Sequence, residues 1–171
     1  MQSEIRLAGF GGQGMALAGF ILGKAFALYE GLEAVMTQAY GPEARGGASS
    51  ASVVVSDAQI DYPFVQHPDV LIAMSQEAYT TFYPTAKPDA LILIDADLVT
   101  PEPHSAPLII PVTRLAEGLG RRIVANVVML GFFTAQTGLI GRAALEQSLE
   151  STLKPKLLPL NLRAFEIGFE Y

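Results

Sequence analysis

Cysteine is absent from the 171 residues, which excludes disulfides, a thiolate nucleophile and a cysteine-held iron–sulfur cluster on this chain. Any redox metal chemistry has to come from elsewhere. Histidine occurs twice, as His67 and His104; each stands beside a proline in a segment that reads as loop, with no second histidine at ligand spacing. Both read as surface residues, and no metal site is expected. Charged residues make up 16% of the chain and the net charge is -6, the opposite of the basic footprint that a phosphate backbone requires. Nucleic acid is therefore not an expected partner. Long hydrophobic runs are missing as well: the most apolar stretch, Ile123 to Ala135, is broken by Asn126 and Gly131 and falls short of the roughly 18 to 20 residues that span a bilayer. No membrane association is expected, and Met1-Gln2-Ser3-Glu4 lacks the basic and apolar regions of an export signal, so a cytoplasmic location is expected.

What the chain does contain is apolar residues, 50% of the total, together with 16 glycines. This length suits one compact unit, and a single domain over residues 1–171 is expected. Two uses of the apolar excess are open: a tight core, or a surface held for a partner chain. Such a surface can also self-associate when its partner is absent, so a homodimer of the isolated chain is compatible with the composition.

Hydrophobic periodicity gives an alternating series of strands and helices. Glu4 to Ala8 reads as a strand that runs into Gly9-Phe10-Gly11-Gly12-Gln13-Gly14, and Met15 to Tyr29 as a helix. Glu33 to Gln38 and Ser49 to Ser56 read as strands, separated by a glycine- and proline-bearing loop, Ala39 to Ala48, that cannot be an ordinary helix. Asp69 to Met74 and Ala90 to Ile94 are apolar strands, with Ser75 placed to cap a helix through Phe82 or Tyr83. Leu108 to Val112 is a further strand, after which Thr113 is expected to cap a short helix. Ile123 to Thr137, Arg142 to Leu153 and Asn161 to Gly168 complete the series as helices. The pattern predicts an α/β, Rossmann-like, mostly parallel sheet with helices on both faces, in which Ala51 to Val55 forms an antiparallel or edge element. Ligands of such sheets meet the loops at the carboxyl ends of the strands, where both glycine-rich loops fall.

Gly9-x-Gly11-x-x-Gly14 follows a strand and opens a helix, the setting of the dinucleotide fingerprint. The acid that this fingerprint wants at the end of the second strand is missing, since that end reads Thr37-Gln38-Ala39-Tyr40 and Glu33 lies at the far end. The glycines could equally serve only a tight turn and close helix packing. Gln13 places a polar amide in the turn, and that amide needs partners from ligand, neighbouring chain or backbone. In the second loop Arg45 precedes Gly46 and Gly47; the combination suits a phosphate or carboxylate, or an ion pair of Arg45 with Glu43. Tyr40 reads as an interface anchor or as core. Asp95 and Asp97 read as turn residues rather than Mg²⁺ ligands, and Asn126 as a satisfied buried amide. No elbow or Ser/His/Asp set supports catalysis by this chain alone.

Taken together, Gly9-Phe10-Gly11-Gly12-Gln13-Gly14 and Gln38-Ala39-Tyr40-Gly41-Pro42-Glu43-Ala44-Arg45-Gly46-Gly47 resemble the gamma subunits of 2-oxoacid:ferredoxin oxidoreductases. The likeness continues through Ile60-Asp61-Tyr62-Pro63, Pro68 to Met74, Ala125 to Gly131 and Asn161 to Gly168. The resemblance implies a multi-subunit enzyme that oxidatively decarboxylates a 2-oxoacid to acyl-CoA and reduces ferredoxin. It also implies that thiamine diphosphate, Mg and iron–sulfur clusters sit on partner alpha, beta and ferredoxin-like delta subunits. The isolated chain is then inactive, with no catalytic residue and no cofactor held by itself, coenzyme A passing nearby. On this reading Gly11, Gly12, Gln13, Gly14, Tyr40, Gly41, Arg45, Gly46 and Gly47 face coenzyme A or a partner subunit. The oxoacid is left open, with 2-oxoglutarate or branched-chain acids favoured over pyruvate by resemblance. The competing readings are a stand-alone NAD(P)- or nucleotide-binding Rossmann-like protein and the related subunit of an indolepyruvate oxidoreductase.

Overall fold

The computed structural model describes residues 1–39 and 48–171. Six strands form one sheet: β1 Gln2–Phe10, β2 Glu33–Ala39, β3 Ala48–Ser56, β4 Val70–Ala73, β5 Leu91–Asp95 and β6 Leu108–Ile110. Their order is β2-β3-β1-β4-β5-β6. β1, β4, β5 and β6 run parallel, whereas β3 lies antiparallel to both β1 and β2. The sheet is mostly parallel, as the alternation of apolar strands and helices predicts, and β3 is antiparallel as expected. It is not an edge strand, however; β2 takes that place.

The strand order has a direct consequence for the glycine fingerprint. In a dinucleotide fold the second strand lies beside the first, so an acid at its end can reach the ribose. Here β3 stands between β1 and β2, with Arg6 opposite Ser52 and Ser52 opposite Thr37. The end of β2 is one strand further out, and the missing acid is accompanied by a missing neighbour.

Alternation within strands divides the sheet into two unlike faces. Ile5 and Leu7 of β1, Val53 and Val55 of β3, Val70 and Ile72 of β4 and Leu93 of β5 enter the main core. That core is closed by α1 Met15–Lys24, α4 Ala125–Thr137, α5 Arg142–Thr152 and α6 Leu158–Glu170, with α3 Val112–Gly118 at its margin. The opposite face carries a smaller cluster, Leu71, Ala73, Ile92 and Ile94, beneath Tyr79 of α2 Gln76–Phe82. Helices therefore cover both faces, but unequally.

Local chemistry explains several element ends. The Ser75 hydroxyl accepts a hydrogen bond from the Ala78 amide at 3.1 Å and caps α2, and Gly138, with φ 63°, ends α4 in the left-handed conformation. The helix predicted through Tyr29 continues beyond α1 as a π-helical stretch, Ala25–Tyr29. Two expectations are corrected. Pro111 occupies the cap position of α3, so Thr113 lies inside the helix and its hydroxyl is bound to Asp95 instead. α6 begins at Leu158, because Pro159 sits in its first turn, where no amide hydrogen is needed, rather than before the helix. Among the described residues, no helix is long and apolar enough to cross a membrane.

Candidate functional site

β1 ends at Phe10 and the chain turns through Gly11, Gly12, Gln13 and Gly14 into α1. Gln13 braces this turn. Its Oε1 accepts the Phe10 amide hydrogen at 2.6 Å, and its Nε2 donates to the Met74 carbonyl oxygen at 3.0 Å, just beyond β4. One side-chain amide thus ties together the carboxyl ends of β1 and β4. A Cβ on Gly9 would overlap Gln13 Oε1 and stand 3.0 Å from Met74 Cβ, so Gly9 is required by the brace itself. Gln13 lines the site, yet its polar atoms are engaged by backbone of the same chain.

Gly14 is fixed from the other side. Asn126, buried in the first turn of α4, donates from Nδ2 to the Gly14 carbonyl oxygen at 3.1 Å, and its Oδ1 accepts the Val127 amide hydrogen. The expected satisfied amide is found, and its partner is the glycine turn. Gly14 has φ 73°, and an added Cβ would stand 2.5 Å from Asn126 Nδ2. Gly12 has φ 91°, which a side chain rarely adopts. Gly11 differs from these. Its φ lies outside the left-handed region and an added Cβ would meet nothing within 4 Å.

The turn forms one wall of a 340 Å³ cleft; Phe10 to Gln13 face Thr113, Arg122, Ile123 and Ala125 across it. Phe10 and Ile123 are exposed apolar side chains at its lips, 43% and 56% accessible. Arg122 stands 4.0 Å from Glu117, and both are exposed. Such a pair holds little energy, so the guanidinium is available to an anion in the cleft. Thr113 is held by the fully buried Asp95, to which its hydroxyl donates at 2.5 Å. Asp95 also accepts the Asp97 amide hydrogen at 3.2 Å, the turn chemistry expected of this pair. Burial pushes the Asp95 carboxyl above its ordinary value, and the hydrogen bonds from Thr113 and Asp97 only partly offset this. Asp97 is held in turn by Arg114.

These parts can bind but supply little chemistry of their own. Among the described residues the cleft offers backbone amides at the turn, the Arg122 guanidinium as its one charged group, and apolar lips. Among the described residues no three His, Cys, Asp or Glu side chains converge as metal ligands, and His67 and His104 are exposed.

Of the residues expected at the site, Gly11, Gly12, Gln13 and Gly14 are brought together at the cleft. Tyr40, Gly41, Arg45, Gly46 and Gly47 lie outside the described residues. The strands that flank them are described: Ala48, the first residue of β3, pairs with Phe10, and Ala39, the last of β2, pairs with Ser50. Both lie at the edge of the sheet where the glycine turn begins. The far wall, Thr113, Arg122 and Ile123, was not anticipated. Its residues come from the segment around Gly118-Leu119-Gly120-Arg121-Arg122, whose glycines and arginines match no ligand-binding motif and meet the glycine turn only through tertiary packing.

Residues 4–171 match the family model described as pyruvate ferredoxin/flavodoxin oxidoreductase. The 2-oxoglutarate synthase subunit KorC of Methanothermobacter marburgensis is 47% identical, over 99% of this chain and 96% of its own length. The crystal structure of the keto/oxoacid ferredoxin oxidoreductase gamma subunit from Geobacter sulfurreducens superimposes with a TM-score of 0.87. It is 40% identical, and the match covers 98% of this chain and 96% of that one. The 2-oxoglutarate:ferredoxin oxidoreductase from Magnetococcus marinus, with 2-oxoglutarate, coenzyme A and succinyl-CoA bound, matches with a TM-score of 0.81 and 27% identity. There the match covers 98% of this chain but 30% of the other, so the same fold is one part of a longer polypeptide. The chain belongs to the pyruvate ferredoxin/flavodoxin oxidoreductase family and corresponds over nearly its whole length to the gamma subunits of 2-oxoacid:ferredoxin oxidoreductases.

Proposed function

We propose that this chain is the gamma subunit of a 2-oxoglutarate:ferredoxin oxidoreductase, and that its glycine-turn cleft faces coenzyme A or an adjoining subunit. The observation that carries the reading is Gly11. Gly9, Gly12 and Gly14 are each required by contacts or backbone angles within the chain, whereas nothing in the described structure prevents a side chain at Gly11. A glycine without an internal reason leaves room for close approach of something external. The surroundings fit such an approach, with exposed apolar Phe10 and Ile123 beside the Arg122 guanidinium.

The cleft suits a molecule that combines an apolar or amide-bearing stretch with negative charge, and coenzyme A has that chemistry. Gly11 and Gly12 would let it approach the backbone, Arg122 would neutralise phosphate, and Thr113, fixed by Asp95, would present an oxygen. Tyr40, Gly41, Arg45, Gly46 and Gly47 are assigned the same role, facing coenzyme A or the adjoining subunit, with Arg45 neutralising phosphate. Thiamine diphosphate, Mg and the iron–sulfur clusters are assigned to alpha, beta and delta partners, with ferredoxin as acceptor. This chain has no cysteine to hold a cluster, and thiolates are the usual cluster ligands. The 2-oxoglutarate assignment rests on the KorC relative and on the Magnetococcus enzyme. A cytoplasmic location and a single domain over 1–171 complete the reading.

The test is purification of the tagged chain from its own cells without oxygen, followed by native mass spectrometry and an assay of coenzyme A-dependent oxidation. Co-purifying subunits with bound thiamine diphosphate and iron, and a kcat/KM for 2-oxoglutarate at least about tenfold above those for pyruvate and ketoisovalerate, are expected. A chain recovered alone and binding NAD or NADP would overturn the reading.

A further inference from the structure

The second face of the sheet holds a feature that the glycine-turn cleft does not use. Along β1 the side chains of Glu4, Arg6 and Ala8 point away from the main core, and their partners across β3 are Val54, Ser52 and Ser50. One strand further, Thr37 of β2 stands opposite Ser52. A strand face meant only for packing favours β-branched and aromatic residues. Here two serines and a threonine surround an arginine. Ser50 and Ser52 are buried all the same, and residues Phe64 and Val65 lie over them, Val65 being buried and Phe64 exposed. Between these layers is a cleft of 240 Å³ whose lining runs from Arg6, Ser50 and Ser52 across Thr37 to Ala39 of β2, with Phe64 and Val65 above.

Arg6 is placed in this cleft at a cost. Its Nε donates to Ser52 Oγ at 3.5 Å, one Nη2 hydrogen goes to the Val65 carbonyl oxygen, and its guanidinium lies over the Phe82 ring, 4.7 Å from the ring centre. Two of its five N–H groups are thereby used. Among the described residues it forms no ion pair. Burial draws the guanidinium below its ordinary value, with Glu4 on the same strand face partly opposing the shift, although the group stays protonated at any physiological pH. A partly desolvated cation that makes no ion pair among the described residues, with Glu4 opposing only part of its burial, favours a supplied anion.

We propose that this cleft binds a small oxyanion, a phosphate or carboxylate group, held by Arg6 with the hydroxyls of Thr37, Ser50 and Ser52. Ser52 accepts from Arg6, so its own hydrogen is free to donate to the anion; Ser50 and Thr37 bring further donors. The size sets the class of ligand: pockets for drug-sized molecules occupy roughly 300 to 1,000 Å³. The space admits a small anion or the charged end of a longer molecule. The site is separate from the glycine-turn cleft. Arg6 lies four residues before Phe10 on β1, about 13 Å at roughly 3.3 Å per residue.

The experiment is titration of the full-length ¹⁵N-labelled chain with inorganic phosphate and, separately, with acetate, at ionic strength held constant with chloride. Arg6 Nε–H and the amides of Ser50 and Ser52 are followed by NMR. One of the two anions is expected to give saturable shifts at these groups, with a dissociation constant on the order of 1 to 10 mM, and which one saturates distinguishes phosphate from carboxylate. Ser52→Ala and Thr37→Val leave Arg6 in place; Ser52→Ala is expected to weaken binding about tenfold and Thr37→Val somewhat less. Shifts that rise linearly and match those of chloride would mean charge screening alone. Saturable binding unaffected by either variant would place the anion elsewhere. Either result overturns the proposal.

Discussion

The crossing of α4 with α6 and the turn between β1 and α1 are both built on glycine, yet for different reasons. At the crossing, a Cβ on Gly168 would overlap the Val128 carbonyl oxygen, and one on Gly131 would overlap the Phe165 carbonyl oxygen and stand 2.8 Å from the Phe169 amide nitrogen. Each glycine admits the other helix's backbone, and the two helices close over the core at Phe132, Phe133 and Phe165. At the turn the glycines divide. Gly9 makes room for Gln13, Gly12 and Gly14 adopt positive φ, and Gly11 answers to nothing among the described residues. The lesson is that a glycine's purpose is read from what its missing Cβ would strike. A collision or a positive φ points to the fold, and open space at an ordinary φ leaves room for something outside it.

Substitutions can break this contrast in order of size. Gly168→Ala drives a Cβ into unyielding backbone and should destabilise the chain by about 3 kcal/mol or more, seen as a lower midpoint in urea denaturation. Gly14→Ala combines an unfavourable φ with displacement of Asn126 and should cost about 2 kcal/mol. Gln13→Ala releases the Phe10 amide and the Met74 carbonyl; a loss of about 1 to 2 kcal/mol is expected, with faster amide exchange at Phe10 as its local sign. Gly11→Ala should change stability by less than about 0.5 kcal/mol. A large loss of stability in that variant would remove the distinction on which the proposed function rests.

The far wall of the cleft gives a prediction about pH. The Asp95 carboxyl is held above its ordinary value by burial, so the folded state holds this proton more tightly than the unfolded state. Its contribution to stability is present at acid pH and is lost as pH rises through the folded value. The stability of the wild type relative to Asp95→Asn should therefore decline as pH rises from the ordinary carboxyl value of about 4 through the raised folded one. Denaturation midpoints of the two proteins across that range would show it, and a difference independent of pH would contradict it.

Much of this architecture was legible in the residues. Apolar runs bounded by turn residues located all six strands, Ser75 and Gly138 marked helix ends through recognisable capping chemistry, and the glycine turn stood out as a turn. Strand order was less legible, because the sequence of β2 and β3 carries no sign that β3 inserts beside β1; that depends on a long-range pairing. Thr113 shows a second limit. A threonine after an apolar strand reads as a cap, but the nearby Asp95 carboxylate competes for its hydroxyl and wins. The site was half visible for the same reason. Gly11 to Gly14 form one contiguous motif, whereas Thr113 and Arg122 meet them only through the packing of α3 and α4 against the sheet edge.

The most direct measurement uses Gly11→Leu in the chain co-expressed with its partner subunits. Its thermal midpoint when isolated, its association in native mass spectrometry and the apparent KM of the complex for coenzyme A would all be read. The account predicts an isolated chain as stable as wild type, with either association weakened or that KM raised by at least about tenfold. A variant that assembles and uses coenzyme A as the wild type does would contradict it, and would return the glycine turn to a purely internal role.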